Sequence, residues 1–249
     1  TATLVHDDLL DQADVRRRVE TIHQRYGDRA AILLGDIIYA RGFVISTEVE
    51  GAASLLAECT REICIGEILQ VGNAGNLELT LQQYQEIIHR KTAILYGLSC
   101  KLGSMLSGAT SEQVAALESF GNRMGEAFQI IDDSLDLVGD PEVVGKSLGT
   151  DLANGKLTLP LLLLRDSLEG AEREQLMQLL ADCYQSEASE SSRVEMATLL
   201  ANHGIMQRVR GRAKDAIESA LSDLRGAAPE SPSRQRLEDL AEYIIQREL

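Results

Sequence analysis

Tryptophan is absent from this 249-residue chain, and Phe, Tyr and Trp together make up only 4% of it, so Leu, Ile, Val and Ala must build any core. Proline is scarce too: there are four, and none precedes Pro141. Proline inside a helix removes a hydrogen bond and clashes with the preceding turn, so its absence leaves the first half of the chain open to long helices. No apolar run reaches the roughly 18 residues that mark a membrane span. The opening Thr1-Ala2-Thr3-Leu4-Val5-His6 has no basic segment and does not read as a signal peptide. Positive charge is in deficit: 24 Lys and Arg stand against 39 Asp and Glu, for a net charge of −15 and a pI of about 4.7. General binding to nucleic acid needs basic surface, so none is expected. An anionic ligand is still admissible, because bound metal and a few placed cations can hold one. Cys59, Cys64, Cys100 and Cys183 form no Cys-x-x-Cys pair and no Cys/His metal spacing. Buried, reduced thiols in a cytoplasmic protein are expected. At 44% apolar and 25% charged, the composition is that of a globular chain, read as a single domain over residues 1–249.

Against these absences stands one repeated pattern. Asp7-Asp8-Leu9-Leu10-Asp11 and Asp132-Asp133-Ser134-Leu135-Asp136 are both DDxxD, each inside apolar, helix-forming sequence. On a helix, Asp7 and Asp11 share a face, with Asp8 about 100° round. Like charges four apart weaken a helix, so three carboxylates on one turn invite a cation. Carboxylates suit hard metals, and Mg²⁺ is usually shared between one or two carboxylates and substrate phosphates. Two such turns facing each other would clamp a diphosphate. A single copy in so acidic a chain is ordinarily a solvated helix face; the duplicate argues against that.

Apolar periodicity predicts helices at about 2–13, 28–47, 49–71, 80–107 and 111–138, then shorter ones at about 170–182, 190–202, 205–226 and 233–247. Thr80 with Gln83 and Thr110 with Gln113 read as capping boxes, and Thr158 as the cap of a helix with Pro160 in its first turn. Gly72–Asn76, Gly139–Gly155 and Gly226–Ser233 read as loops. No run alternates convincingly as a strand. The expected class is all-α. The chain begins inside a helical pattern six residues before the first acidic motif, so more helix is expected to precede it.

Basic and amide groups recur near both motifs. Arg16, Arg17 and Arg18 follow the first, and a guanidinium binds phosphate oxygens in pairs. Lys91-Thr92 opens a mostly apolar stretch, where a lysine needs an anionic partner. Gln129 lies one turn before Asp133, on the same face. Lys146, Asp151 and Lys156 lie on the Gly-rich loop after the second motif, where the lysines could close over phosphates. Taken singly, each reads equally as snorkelling lysine, core amide or surface loop.

Their order resembles the trans-isoprenyl diphosphate synthases, also called polyprenyl synthetases. The matching stretches are His6–Asp11 followed by Arg16-Arg17, Leu34-Gly35-Asp36, Gly66–Gln70, Lys91-Thr92-Ala93, Phe128–Asp136 and Gly145–Pro160. The resemblance implies the isoprenoid synthase fold, a long-helix bundle around a deep central cavity, usually a homodimer. It implies an enzyme that uses Mg²⁺ to join an allylic diphosphate to isopentenyl diphosphate. Asp7, Asp8, Asp11, Asp132, Asp133 and Asp136 would then hold Mg²⁺. Arg16, Lys91, Lys146 and Lys156 would bind the allylic diphosphate, and Arg17 isopentenyl diphosphate. Lys91, Thr92 and Gln129 would be the catalytic set, with the Thr92 and Gln129 oxygens beside the developing cation. His6 is expected to be a packed, hydrogen-bonded histidine and not a general base.

In the family, aromatic residues one turn before the first motif stop chain growth early. Ala2 and Thr3 are small, which implies a long, octaprenyl-like product (C35–C50) for quinone side chains, with Phe43, Ser46 and Leu55 as candidate floor residues. Arg18 departs from the family pattern, which has Gly there, so a different loop conformation is expected. The family's Gly-Lys-Arg segment for isopentenyl diphosphate would lie upstream of Thr1. The rival readings are a shorter-chain synthase, a non-catalytic partner subunit, a terpene cyclase, and a di-iron carboxylate bundle built on Glu20/His23 and Glu86/His89.

Overall fold

The computed structural model describes residues 1–16, 18–139, 149–185 and 190–247. Its helices are α1 (Ala2–Leu10), α2 (Ile22–Tyr26), α3 (Asp28–Ser46), α4 (Ala52–Gly72), α5 (Leu81–Ile88), α6 (Ile94–Leu106), α7 (Ser111–Val138), α8 (Thr150–Ala153), α9 (Leu159–Ser167), α10 (Gly170–Gln185), α11 (Glu190–Asn202), α12 (Ile205–Ala227) and α13 (Pro232–Gln246). The expected all-α class holds. Among the described residues the one departure is a two-residue hairpin, β1 (Val15–Arg16) against β2 (Val19–Glu20).

Both predicted capping boxes form, so α5 and α7 start where the sequence placed them. α7 is the axis of the bundle and packs chiefly on α6 and α12. α12 buries Ile205, Val209, Ala213, Ile217 and Leu221 at four-residue spacing, the stripe of a helix with one apolar face. α9 buries Leu161, Leu162, Leu163 and Leu164 in succession, as a helix enclosed on all sides must. Arg165 at its end is buried as well, and donates to the Leu77 and Leu79 carbonyls.

Several boundaries differ from expectation. The first helix stops at Leu10, because Gln12 takes φ 52°, outside the helical region. Asp11 therefore caps α1 and does not continue it. The helix expected over 80–107 is broken by a π turn, His89–Ala93. Thr158 occupies the N-cap of α9, but its hydroxyl makes no capping bond. The expected loop after α7 contains helix α8, and residues 140–148, Lys146 among them, lie outside the described residues, as does Arg17. Cys59 and Cys183 are buried and Cys100 is half-buried, but Cys64 is exposed, against expectation.

Candidate active site

α1, α5, the π turn, α6, α7 and α13 surround a cavity of about 1110 Å³. Asp7, Asp11, Asp132 and Asp133 all line it, so the two acidic motifs do meet. Arg16, Lys91, Thr92, Gln129 and Lys156 line it too.

Two of the six aspartates do other work. Asp8 is 6% exposed, absent from the cavity wall, and ion-paired with Arg16. Asp136 is 1% exposed and accepts from the Asp151 backbone N–H at 2.9 Å, which ties α8 to α7. Only four carboxylates of the expected six-residue metal set therefore face the cavity. In the first motif the pair that faces the cavity is Asp7 and Asp11, as the helical period places it; in the second it is Asp132 and Asp133, against the expected repeat, because Asp136 is turned to the α8 backbone.

The cations arrive from distant parts of the chain. Lys156 Nζ lies 2.9 Å from Asp11 and 3.1 Å from Asp151. Lys91 Nζ meets Glu67 at 2.5 Å, the anionic partner its apolar surroundings required. Arg247, near the end of the chain, lies 3.4 Å from Asp132 and stacks 5.0 Å over the Phe128 ring. Glu67 sits in a quoted motif, but its role as the Lys91 partner was not read from sequence. Nothing in the sequence signals Arg247 or Tyr84.

The π turn positions the centre of the site. Inserting one extra residue into the helix rotates Lys91 and Thr92 relative to α5. Gly66 makes room: a β-carbon there would lie 2.6 Å from the Lys91 backbone nitrogen. We expect Gly66→Ala to displace the turn, costing about 1–3 kcal/mol of stability and lowering kcat; a melting curve and a rate assay check both. His6 behaves as expected: its ring lies over Gly35, and Nε2 is 3.2 Å from the Ile32 carbonyl. Arg18 holds φ 64°, the left-handed region that favours glycine, at a strain of about 1–2 kcal/mol. The arginine thus takes a backbone conformation that glycine adopts more readily.

Burial leaves the carboxylates short of positive charge. Desolvation pushes the Asp7 carboxyl up, opposed by Lys91. Burial, then the Asp151 charge, pushes Asp133 up to about 7. Among the described residues no three His, Cys, Asp or Glu side chains converge into a ready metal cage. An all-carboxylate set fits a hard divalent ion that takes its remaining ligands from water and phosphate. The di-iron arrangement does not form among the described residues: His89 pairs with Glu126 at 3.0 Å, and Glu86 with Arg90.

A family model described as polyprenyl synthetase matches residues 1–199. The chain belongs to the polyprenyl synthetase family. It is a prenyltransferase of the trans-prenyl diphosphate synthase class. It is 34% identical to an octaprenyl diphosphate synthase of Escherichia coli, over 100% of this chain and 76% of that one. It is 32% identical to a short chain isoprenyl diphosphate synthase of Methanothermobacter thermautotrophicus, with the same coverage. A crystal structure of a polyprenyl synthase from Caulobacter crescentus, complexed with calcium and isoprenyl diphosphate, superposes with a TM-score of 0.88 at 33% identity, over 99% of this chain and 74% of that one. No helix among the described residues is long and apolar enough to cross a membrane.

Proposed function

We propose that this synthase joins an allylic diphosphate to isopentenyl diphosphate and extends it to a long-chain product, C35–C50 and octaprenyl-like. The observation that supports the length is the wall of the cavity. From Lys91 the lining runs through Leu95, Ser99, Gly103 and Ser107 at four-residue steps along α6. Sixteen residues of helix make a wall of roughly 24 Å. Beyond Leu95 and Tyr96 the helix puts only small side chains on this wall, Ser99, Cys100, Gly103, Ser104 and Ser107, so an extended polyprenyl tail has room. Thr3 lines the same space, as expected; Ala2, Phe43, Ser46 and Leu55 do not.

In this reading Asp7, Asp11, Asp132 and Asp133 face the allylic diphosphate, and Lys91, Lys156 and Arg16 bind it directly. Arg17 and Lys146 are assigned the isopentenyl and allylic diphosphates by the same resemblance. Bound Mg²⁺ would supply neutralisation of the leaving diphosphate, which lowers the barrier to ionisation. The allylic C–O bond breaks with its electrons leaving on diphosphate. Thr92 and Gln129 present oxygens to the resulting cation. The isopentenyl double bond attacks it, and a proton passes to the departing diphosphate, so no side-chain base is required. Ile87, Ile88, Leu117, Met124 and Phe128 give the cavity an apolar lining that would exclude water, which would quench the cation.

A homodimer belongs to the same reading. α3 and α4 leave Leu33, Ile37, Val44, Ile68 and Val71 exposed, more apolar surface than single scattered residues explain. Light scattering of the purified protein tests it.

The decisive assay supplies Mg²⁺, farnesyl diphosphate and labelled isopentenyl diphosphate, and resolves products by length. A C35–C50 ladder supports the reading. A stop at C20 keeps the chemistry and makes Leu4, which also lines the cavity, the barrier. Diphosphate binding without incorporation favours a partner subunit. Gly103→Phe and Thr3→Phe are expected to shorten the product by several isoprene units with kcat for the first condensation changed less than roughly threefold; unchanged length in both would sink the cavity assignment.

A further inference from the structure

Each oxygen of the cavity aspartate Asp133 accepts a hydrogen bond. Tyr84 Oη donates to its Oδ2 at 2.7 Å, and Gln129 Nε2 donates to its Oδ1 at 2.7 Å. Gln129 Oε1 in turn accepts from Thr92 Oγ1 at 2.7 Å. The four side chains form one circuit: Tyr84 and Thr92 on the α5–π-turn segment, Asp133 and Gln129 one turn apart on α7.

The polarity of the circuit is set at Asp133. Both Asp133 oxygens accept, Oδ2 from Tyr84 and Oδ1 from the Gln129 amide nitrogen. The amide oxygen then faces Thr92, whose single proton is committed to that oxygen. What remains free on Thr92 is a lone pair, and Thr92 lines the cavity. Were the Gln129 amide turned over, Thr92 would aim a proton there, the wrong sign for a cation. The rotation of the Asp133 carboxylate therefore matters. Tyr84, 4% exposed and fixed in the core one turn after the Thr80 capping box, holds the far oxygen and so aims the near one at Gln129. The circuit also straddles the π turn, with Tyr84 before it and Thr92 within it, so it clamps the turn's extra residue against α7.

We infer that Tyr84 is a positioning residue for the prenyl transfer, acting through Asp133 and Gln129 to keep a Thr92 lone pair facing the reacting carbon. This rests on the synthase reading above.

The test is a double-mutant cycle on the full chain, read by kcat and by KM for both diphosphates. Tyr84→Phe removes one oxygen and keeps the ring. It should lower kcat roughly 10–100-fold with both KM values within about twofold. In a Thr92→Val background, where no lone pair remains to orient, Tyr84→Phe should cost no more than about twofold. Gln129→Met, which cuts the circuit in its middle, should show the same lack of additivity with Thr92→Val. Three results overturn the inference: effects of Tyr84 and Thr92 that multiply, a change confined to KM, or a melting temperature lowered by more than about 8 °C with the kcat of the folded fraction unchanged. A wild-type protein that forms no prenyl product at all instead overturns the synthase reading, and the inference falls with it.

Discussion

Asp7→Asn is expected to slow prenyl transfer by roughly 10³-fold while making the metal-free protein more heat-stable at pH 8. The two effects have one origin. Asp7 lines the cavity, and desolvation raises its carboxyl pKa above the ordinary 3.8, with Lys91 only partly opposing. A carboxyl raised in the folded state binds more protons there than in the unfolded chain once the pH exceeds the unfolded value. Stability is therefore lost as the pH climbs through the folded pKa. Asp133, pushed up to about 7, adds a loss in the same direction between about pH 4 and 7. A neutral amide at position 7 removes its share, so the melting temperature in chelator should rise and flatten with pH. The same substitution removes a charge that a divalent ion needs, hence the rate loss. Stabilisation bought at an active site by losing function is a common exchange. Retention of the rate within tenfold would remove Asp7 from the diphosphate site.

Lys91→Met is expected to cost about as much activity, roughly 10²–10³-fold in kcat/KM for the allylic diphosphate, but to destabilise the protein. Lys91 and Glu67 are 18% and 19% exposed in their side chains and meet at 2.5 Å. Removing the ammonium leaves Glu67 mostly enclosed without its partner, at a cost of about 1–3 kcal/mol. It also removes the charge that holds the Asp7 pKa down. Pairing the change with Glu67→Gln should restore most of the melting temperature and none of the activity. If the double variant regained activity, Lys91 would be a structural cation and not a diphosphate ligand.

The sequence alone determined the helical class, the two capping boxes and the family. Those depend on short-range rules: spacing along a helix, the chemistry of Asp, Lys and Arg, and motif order. It placed Asp7, Asp132, Lys91, Thr92, Gln129 and Lys156 in one site, and all six line one cavity. It could not say which members of a DDxxD turn face inward, because that depends on the rotation of α1 and α7 about their axes. Packing sets that rotation, and it sends Asp8 to Arg16 and Asp136 to the α8 backbone. Nor does any local pattern foretell the π turn, against which α4 packs closely at Gly66. Tyr84, Glu67 and Arg247 were illegible as partners for a similar reason. Each acts on a residue far along the chain, 49 positions away for Tyr84 and Asp133 and 115 for Arg247 and Asp132. Contacts of that range are decided only when the helices close around the cavity.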